Sequence, residues 1–557
     1  MTTRKIRISL YREVSIMLWQ TEQQLEDLLC EVVSWDSRTG TEGEIQFAEK
    51  IKGKLLELEY FKESPTLIQF HDVGKERNAV TALYKQENIK KTIVLISHFD
   101  TVHTEEFGAL ADLAFQPQEL TKKFKEMLDS LPEDVRCDVT SGDYLFGRGT
   151  MDMKMGIVLH LHLLEQAIHE KWPVNLLLVT VPDEEVNSSG MLAAVKGLVD
   201  TRERYDLNYT LFLNSEPSFS MQPQDEQYYI YSGTIGKIMP SALFYGRETH
   251  AGEPLQGINA HYMASFLTKK MEYNQAFSEE IYGERTPLPL CLKTYDLKAD
   301  YSTQTSNHVA ALYNVFLMKR NAKETMISFR EVATEAMREC AEEYRRVLAR
   351  EENREEHFNI GVWEYEELLN YARDKLGKEK TEEIIKETVA LPNLDQREIS
   401  MKVCDQMMAH CQEIAPACIL FFAPPYYPAI NSSDDPLVQE KILLTKQLLQ
   451  DHFNVKAEQV HYFNGISDLS YVNYDKDDKG WESYQNNTPV WDYLYTIPFD
   501  EMQKLQAPVL NIGPFGKDAH KLTERLHKQS AFVHTPFVLQ KVVQTMFDGV
   551  IAGVGKE

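Results

Sequence analysis

Ile93-Val-Leu-Ile-Ser-His-Phe-Asp-Thr-Val-His103 is a run of apolar, partly β-branched residues that breaks abruptly into polar side chains. That is the pattern of a buried strand followed by a loop. Open α/β sheets bind their ligands outside the carboxyl ends of the strands, which places His98 and Asp100 where such a protein does its chemistry. Two apart on an extended segment, they can point the same way. Imidazole and carboxylate are the ligand and the orienting partner of a zinc site. By itself the pair is more often a hydrogen-bonded structural feature, so the case rests on the rest of the chain.

Working outward, Glu22–Val33 reads as a helix, and Ile45, Ala48, Ile51 and Leu55 repeat at helical spacing over 44–58. Asn78–Tyr84 reads as a strand. Residues 105–140 form a long polar connection with a helix over Gln118–Asp129, a surface excursion near the site. The helix Ile157–His169, the strand Asn175–Val181, the helix Met191–Leu198 and the strand Tyr209–Leu213 then alternate, which predicts a mostly parallel sheet covered on both faces. After Gly236 the pattern changes to a smaller α+β unit: strands at 237–245, 290–297 and 310–319, and helices at 260–273 and 325–349. Residues 350–415 are charge-dense and helical, with Val362, Tyr365, Leu369 and Ala372 as one apolar stripe packing on a neighbour. Cys418–Ala423 restores a strand before a Pro-rich turn. Helix–strand alternation resumes at Pro436 and ends with a strand at Val509–Ile512 and a helix at Pro536–Val550.

The chain has 557 residues, 43% of them hydrophobic, enough for two or more domains with large cores. Its formal charge of −26 argues against nucleic acid and anionic membrane as partners, since both demand basic patches. The first ten residues lack the apolar core and cleavage site of a signal peptide, and no apolar run reaches spanning length. Seven scattered cysteines without a CxxC pair fit reduced thiols in a cytoplasmic protein.

His98, Asp152, Glu184, Glu185, Glu216 and His520 all fall at expected strand-to-loop transitions. Two imidazoles and several carboxylates suit two divalent, zinc-like ions with one bridging carboxylate. In the pair Glu184-Glu185, one residue can ligate while the other stays free as a base. Any one acidic pair is more often a helix cap or a solvated surface; six residues at such transitions together are hard to assign to chance. His103 and His160 read as exposed or structural.

Several stretches carry a resemblance: Ser97-His-Phe-Asp-Thr-Val, Phe146-Gly-Arg-Gly-Thr-Met-Asp-Met-Lys-Met-Gly, Pro182-Asp-Glu-Glu-Val and Ser215-Glu-Pro-Ser. With them go His250-Ala-Gly-Glu-Pro-Leu-Gln-Gly, Asn307 with Arg320 thirteen residues on, Gly465-Ile-Ser-Asp and Gly513-Pro-Phe-Gly-Lys-Asp-Ala-His. In this order they resemble the dinuclear-zinc aminoacylase/carboxypeptidase family, which includes acetylornithine deacetylase and succinyl-diaminopimelate desuccinylase. The length and Phe421-Phe-Ala-Pro-Pro-Tyr-Tyr-Pro resemble its arginine-utilisation branch. The resemblance implies that His98 and Glu216 ligate one zinc, that Glu185 and His520 ligate the other, and that Asp152 bridges them. It makes Glu184 the general acid/base acting on a zinc-bridging water, and Asp100 the carboxylate that orients His98. His250 would stand over the reacting carbonyl, in dimeric members that of a neighbouring subunit, and Asn307 and Arg320 would hold a substrate carboxylate, Arg320 bidentately. Ile466 stands where the family often has threonine, so no hydroxyl is available there.

The expectation is therefore an α/β zinc-peptidase fold. Its catalytic domain comes from 1–235 and 430–557, with a lid/dimerisation domain at 236–429 that carries an extra helical insertion at 350–415. The expected reaction is hydrolysis of an amide in an N-acyl amino acid or short peptide, set in arginine or ornithine catabolism. Two zinc ions are expected, replaceable by cobalt or manganese, and a homodimer through the lid is plausible on symmetry grounds. The alternatives are a di- or tripeptidase and a non-catalytic metal-binding regulatory protein, the latter disfavoured because every ligand position and the base are filled. No GxSxG elbow supports a serine hydrolase.

Overall fold

The structure, a computed structural model, describes residues 17–220, 227–298, 300–355, 358–475 and 478–547. The reading of the first ten residues and the end of the last helix at Val550 lie outside these.

The largest sheet has eight strands, ordered Ile68–Gly74, Arg77–Tyr84, Asn175–Val181, Lys91–His98, Asn208–Asn214, Val509–Asn511, Tyr228–Tyr231 and Ala457–Val460. The four from Asn175–Val181 to Val509–Asn511 are mutually parallel. Ile68–Gly74 and Arg77–Tyr84 add an antiparallel margin on one side. Tyr228–Tyr231 reverses direction on the other. Along Lys91–His98, Ile93 and Leu95 enter one core while Val94 and Ile96 enter the core on the opposite face. A strand covered on both faces has no polar side to show, which is why it reads as an unbroken apolar run. Helices Glu22–Ser34 and Lys154–Glu170 bury their apolar residues on the first face, and Ser189–Tyr205 does so on the second.

The connection 105–140 is more than a surface excursion. Phe107, Leu120, Phe124, Val135 and Val139 close on Tyr144 and Phe146 as a small core of their own, with helices Pro117–Glu126 and Glu133–Ser141.

A second sheet has five strands, ordered Leu290–Asp296, His308–Leu317, Gly236–Tyr245, Ala417–Tyr427 and Gly361–Glu364. Val362 therefore belongs to a short strand parallel to Ala417–Tyr427 and not to a helical stripe. The helix begins at Tyr365 and buries Tyr365, Leu368 and Ala372. Pro424 and Pro425 are no turn either: they lie inside the strand Ala417–Tyr427. Opposite them the register slips, Lys237 pairing with Tyr427 but Met239 with Ala423. A bulge tolerates residues that cannot donate to the ladder.

Candidate metal centre

Three neighbouring parallel strands deliver the acidic loops side by side. His98 pairs with Val181, and Ile96 with Asn214, so Glu184, Glu185 and Glu216 leave the sheet at the same edge as His98 and Asp100. The last two members arrive differently. A four-stranded sheet of Tyr144–Phe146, Arg525–His527, Phe515–Lys517 and Ser218–Phe219 joins the loop carrying Asp152 to the loop carrying His520. Glu524 locks the two together: its carboxylate accepts from the Gly149 amide at 2.7 Å and pairs with buried Arg148. The Gly513 loop also needs its glycine, because a Cβ there would sit 1.9 Å from the Glu216 carbonyl oxygen.

His98, Asp152 and Glu216 form one donor group, and Asp152, Glu185 and His520 a second; within each, the donor atoms lie within 4.8 Å of one another. His98 Nε2 is 3.3 Å from Asp152 Oδ1 and 3.6 Å from Glu216 Oε1. His520 Nε2 is 3.0 Å from Asp152 Oδ2 and 3.2 Å from Glu185 Oε2. Asp152 thus turns one oxygen toward each histidine. Two imidazoles and three carboxylates in this arrangement fit two divalent ions sharing one carboxylate.

Glu184 belongs to neither group. Its Oε2 is 3.9 Å from His98 Nε2, and burial raises its pKa well above the ordinary value, with Asp468, Glu185 and Glu216 adding to the rise against His98. Asp100 does more than orient His98. The imidazole Nδ1 meets the Asp100 main-chain oxygen at 3.1 Å, while the carboxylate stands 3.6 Å away. That carboxylate accepts from the amides of Glu184 (2.9 Å) and Glu185 (3.3 Å) and from the Thr39 hydroxyl (2.7 Å). It therefore positions the acidic pair itself. Asp183 and His520 have left-handed φ angles of 66° and 64°, a conformation that non-glycine residues seldom hold without surrounding constraint.

Asp468 closes the Gly465-Ile-Ser-Asp stretch of the resemblance, which assigns it no role. It is buried, neither oxygen has a well-formed hydrogen bond, and burial raises its pKa to about 7. The motif marks the position, but only folding sets its charge against His98 and Glu184. His160, read as structural, is so: it is fully buried against the Ser215 hydroxyl at 3.2 Å.

The lid residues fall at opposite ends of the second sheet. Gly236 pairs with Leu317 at one end of the second sheet and Tyr245 with His308 at the other. A strand of this length spans roughly 30 Å at about 3.3 Å per residue. His250 and Asn307 follow the far end, where exposed His250 accepts a hydrogen bond from the Gly252 amide. Arg320 follows the near end, donating from Nη2 to the Ala276 carbonyl at 3.0 Å with Nη1 unpaired.

Charge among the donor residues makes a prediction. Against the burial that would lower it, hydrogen bonds to Asp152 and Glu185 raise the His520 pKa to about 11. His98 is likewise raised, Glu216 opposing its burial. His520 is therefore protonated at neutral pH, and ligation requires it neutral. Zinc binding is expected to release at least about one proton and to tighten about tenfold per proton for each unit of rising pH. Titration calorimetry in buffers of different ionisation enthalpy reads this directly; a heat independent of buffer would contradict it.

An α/β sheet ending in two donor groups that share a carboxylate defines a metallohydrolase with a dinuclear metal site. Residues 94–536 match Peptidase family M20/M25/M40, and the chain belongs to that family; zinc is its typical metal. Among its relatives is the uncharacterised protein YqjN of Bacillus subtilis (strain 168), 38% identical over 536 residues, covering 95% of this chain and 97% of that protein. Protein RocB of the same organism is 31% identical over 553 residues, covering 95% and 96%. The fold is similar to that of aminopeptidase PepT from Bacillus cereus ATCC 10987, with a TM-score of 0.52 at 12% identity over 95% of this chain and 100% of that one. It is also similar to the M20 metallo-carboxypeptidase Sso-CP2 from Sulfolobus solfataricus, with a TM-score of 0.52 at 11% identity over 93% and 98%.

Proposed function

We propose that the protein hydrolyses the amide of an N-acyl amino acid, acting in the cytoplasm in the turnover of arginine or ornithine derivatives. The observation that carries the reading is a buried carboxyl, Glu184, held beside two donor groups while belonging to neither. In this reading His98 and Glu216 hold one ion, Glu185 and His520 the other, and Asp152 both. Ions held there would lower the pKa of water and polarise a carbonyl. Glu184 takes the proton of the attacking water and hands it to the leaving nitrogen, and Asp100 keeps Glu184 at that station through its amide. Residues 236–429 serve as lid and dimerisation unit. His250 then reaches the reacting carbonyl from the partner subunit, and its imidazole stabilises the developing oxyanion. Asn307 and Arg320 are assigned to the substrate carboxylate on the resemblance alone.

The test is amino-acid release by mass spectrometry from a panel of N-acyl amino acids and dipeptides, led by arginine and ornithine members, with zinc-, cobalt- and manganese-loaded protein. Release from acylated members only is expected. Release from dipeptides instead would replace this reading by a di- or tripeptidase, and silence with two metals bound would overturn it.

A further inference from the structure

Among the described residues, one cation beside the Glu184 loop has no counter-ion. Lys237 opens the strand Gly236–Tyr245 and pairs directly with Tyr427 across the antiparallel ladder. Residues directly opposite in such a ladder share a face. The Tyr427 hydroxyl on that face accepts from Ser188 Oγ at 3.3 Å, so the Lys237 side chain lies over the loop that holds Glu184. Among the described residues no hydrogen bond or ion pair engages its ammonium group. A second cation reaches the same loop from the helix Gln396–His410: Arg397 Nη1 donates to Asn187 Oδ1 at 3.2 Å, while its Nε goes to Asp395 Oδ2 at 3.1 Å. Lys237 is near enough to feel both Arg397 and Glu184; burial lowers its pKa, Arg397 adds to the fall and Glu184 opposes it. Two like charges brought together, one of them half-buried and unpaired, are costly unless an anion joins them.

Chemistry chooses the anion. Glu184, on the reading above, serves the leaving nitrogen, and in an N-acyl amino acid the group two bonds from that nitrogen is the α-carboxylate. We propose that Lys237 and Arg397 together bind the α-carboxylate of the amino acid to be released, in place of the Asn307 and Arg320 that the resemblance alone assigns to it. Lys237 supplies the point charge and Arg397 the fork. The proposal rests on the amide-hydrolase reading for which side of the substrate lies here, and it gives the helical segment 350–415 a part in substrate selection.

Zinc-loaded full-length protein would be titrated calorimetrically with N-methanesulfonyl amino acids, whose sulfonamide is not hydrolysed, and with their carboxamides. The tightest carboxylate ligand is expected to bind at least tenfold better than its carboxamide. Lys237→Met should cut that preference below threefold, Lys237→Arg should restore most of it, and Arg397→Gln should fall between. Arg397→Gln also serves alone should Lys237→Met fail to fold. Equal binding of acid and amide, an unchanged preference in Lys237→Met and Arg397→Gln, or no binding of any carboxylate would each overturn the proposal. Hydrolysis of the amide panel is measured separately: turnover without carboxylate preference sinks the clamp alone, and carboxylate preference without turnover sinks the hydrolase reading alone.

Discussion

Glu184→Gln is expected to keep two metal ions per chain and to lose turnover by about 10³-fold, inside the range of about 10²–10⁴ that a positioned general acid/base contributes. The argument is one of separation. The side chain lies within 3.9 Å of the His98 imidazole, yet the two donor groups are complete without it. Glutamine keeps its size and its polarity but cannot take a proton from water and return it to nitrogen. The residue's main-chain amide stays bound to Asp100 in the variant, so the loop keeps its place. Metal content by plasma mass spectrometry and turnover on the same sample decide the matter. A variant with two metals and more than a tenth of the activity would remove Glu184 from the proton path, and one that lost metal would make it a ligand.

Much of this was legible because parallel strands announce themselves. Val94 and Ile96 on one face and Ile93 and Leu95 on the other leave no polar position until the strand ends, so His98 stands out, and the same logic marks Glu184, Glu185 and Glu216. What stayed hidden depends on contacts that no local pattern encodes. Ile68–Gly74 is an edge strand with no fully buried side chain, so it lacks the periodicity that reveals a strand. The apolar residues of 105–140 are spaced too irregularly to show a core until Tyr144 and Phe146 close it. Val362 matched a helical stripe by spacing, but pairing with Cys418 makes it a strand residue. Asp100 could be read as a partner of His98 from its spacing, whereas its grip on the Glu184 and Glu185 amides depends on two strands lying side by side. Lys237 and Arg397 are 160 residues apart, and only the register of the second sheet turns Lys237 toward the loop that Arg397 also touches.

Asp152→Asn is expected to lower bound metal from two ions to one or fewer and to cut activity by at least about 10³-fold, beyond the 10–100-fold that loss of an outer-shell partner costs. Asp152 is the one residue common to both donor groups, with Oδ1 toward His98 and Oδ2 toward His520 at 3.3 and 3.0 Å. An amide offers a single neutral oxygen, so the variant can serve one side only, and it removes the negative charge that lets two cations sit side by side. The same substitution acts on the protein without metal. Asp152, though burial opposes it, has its pKa lowered by its hydrogen bonds to His520 and His98; a depressed carboxyl stabilises the fold above its unfolded pKa and loses that contribution as pH falls through the folded value. Metal-free Asp152→Asn should therefore melt below the metal-free native protein at pH 7, with the gap narrowing toward strongly acid pH. A gap that persists or widens there would assign the loss to packing, not charge. A variant that still bound two ions would deny Asp152 the bridging role, and with it the pairing of the two histidines on which the site is built.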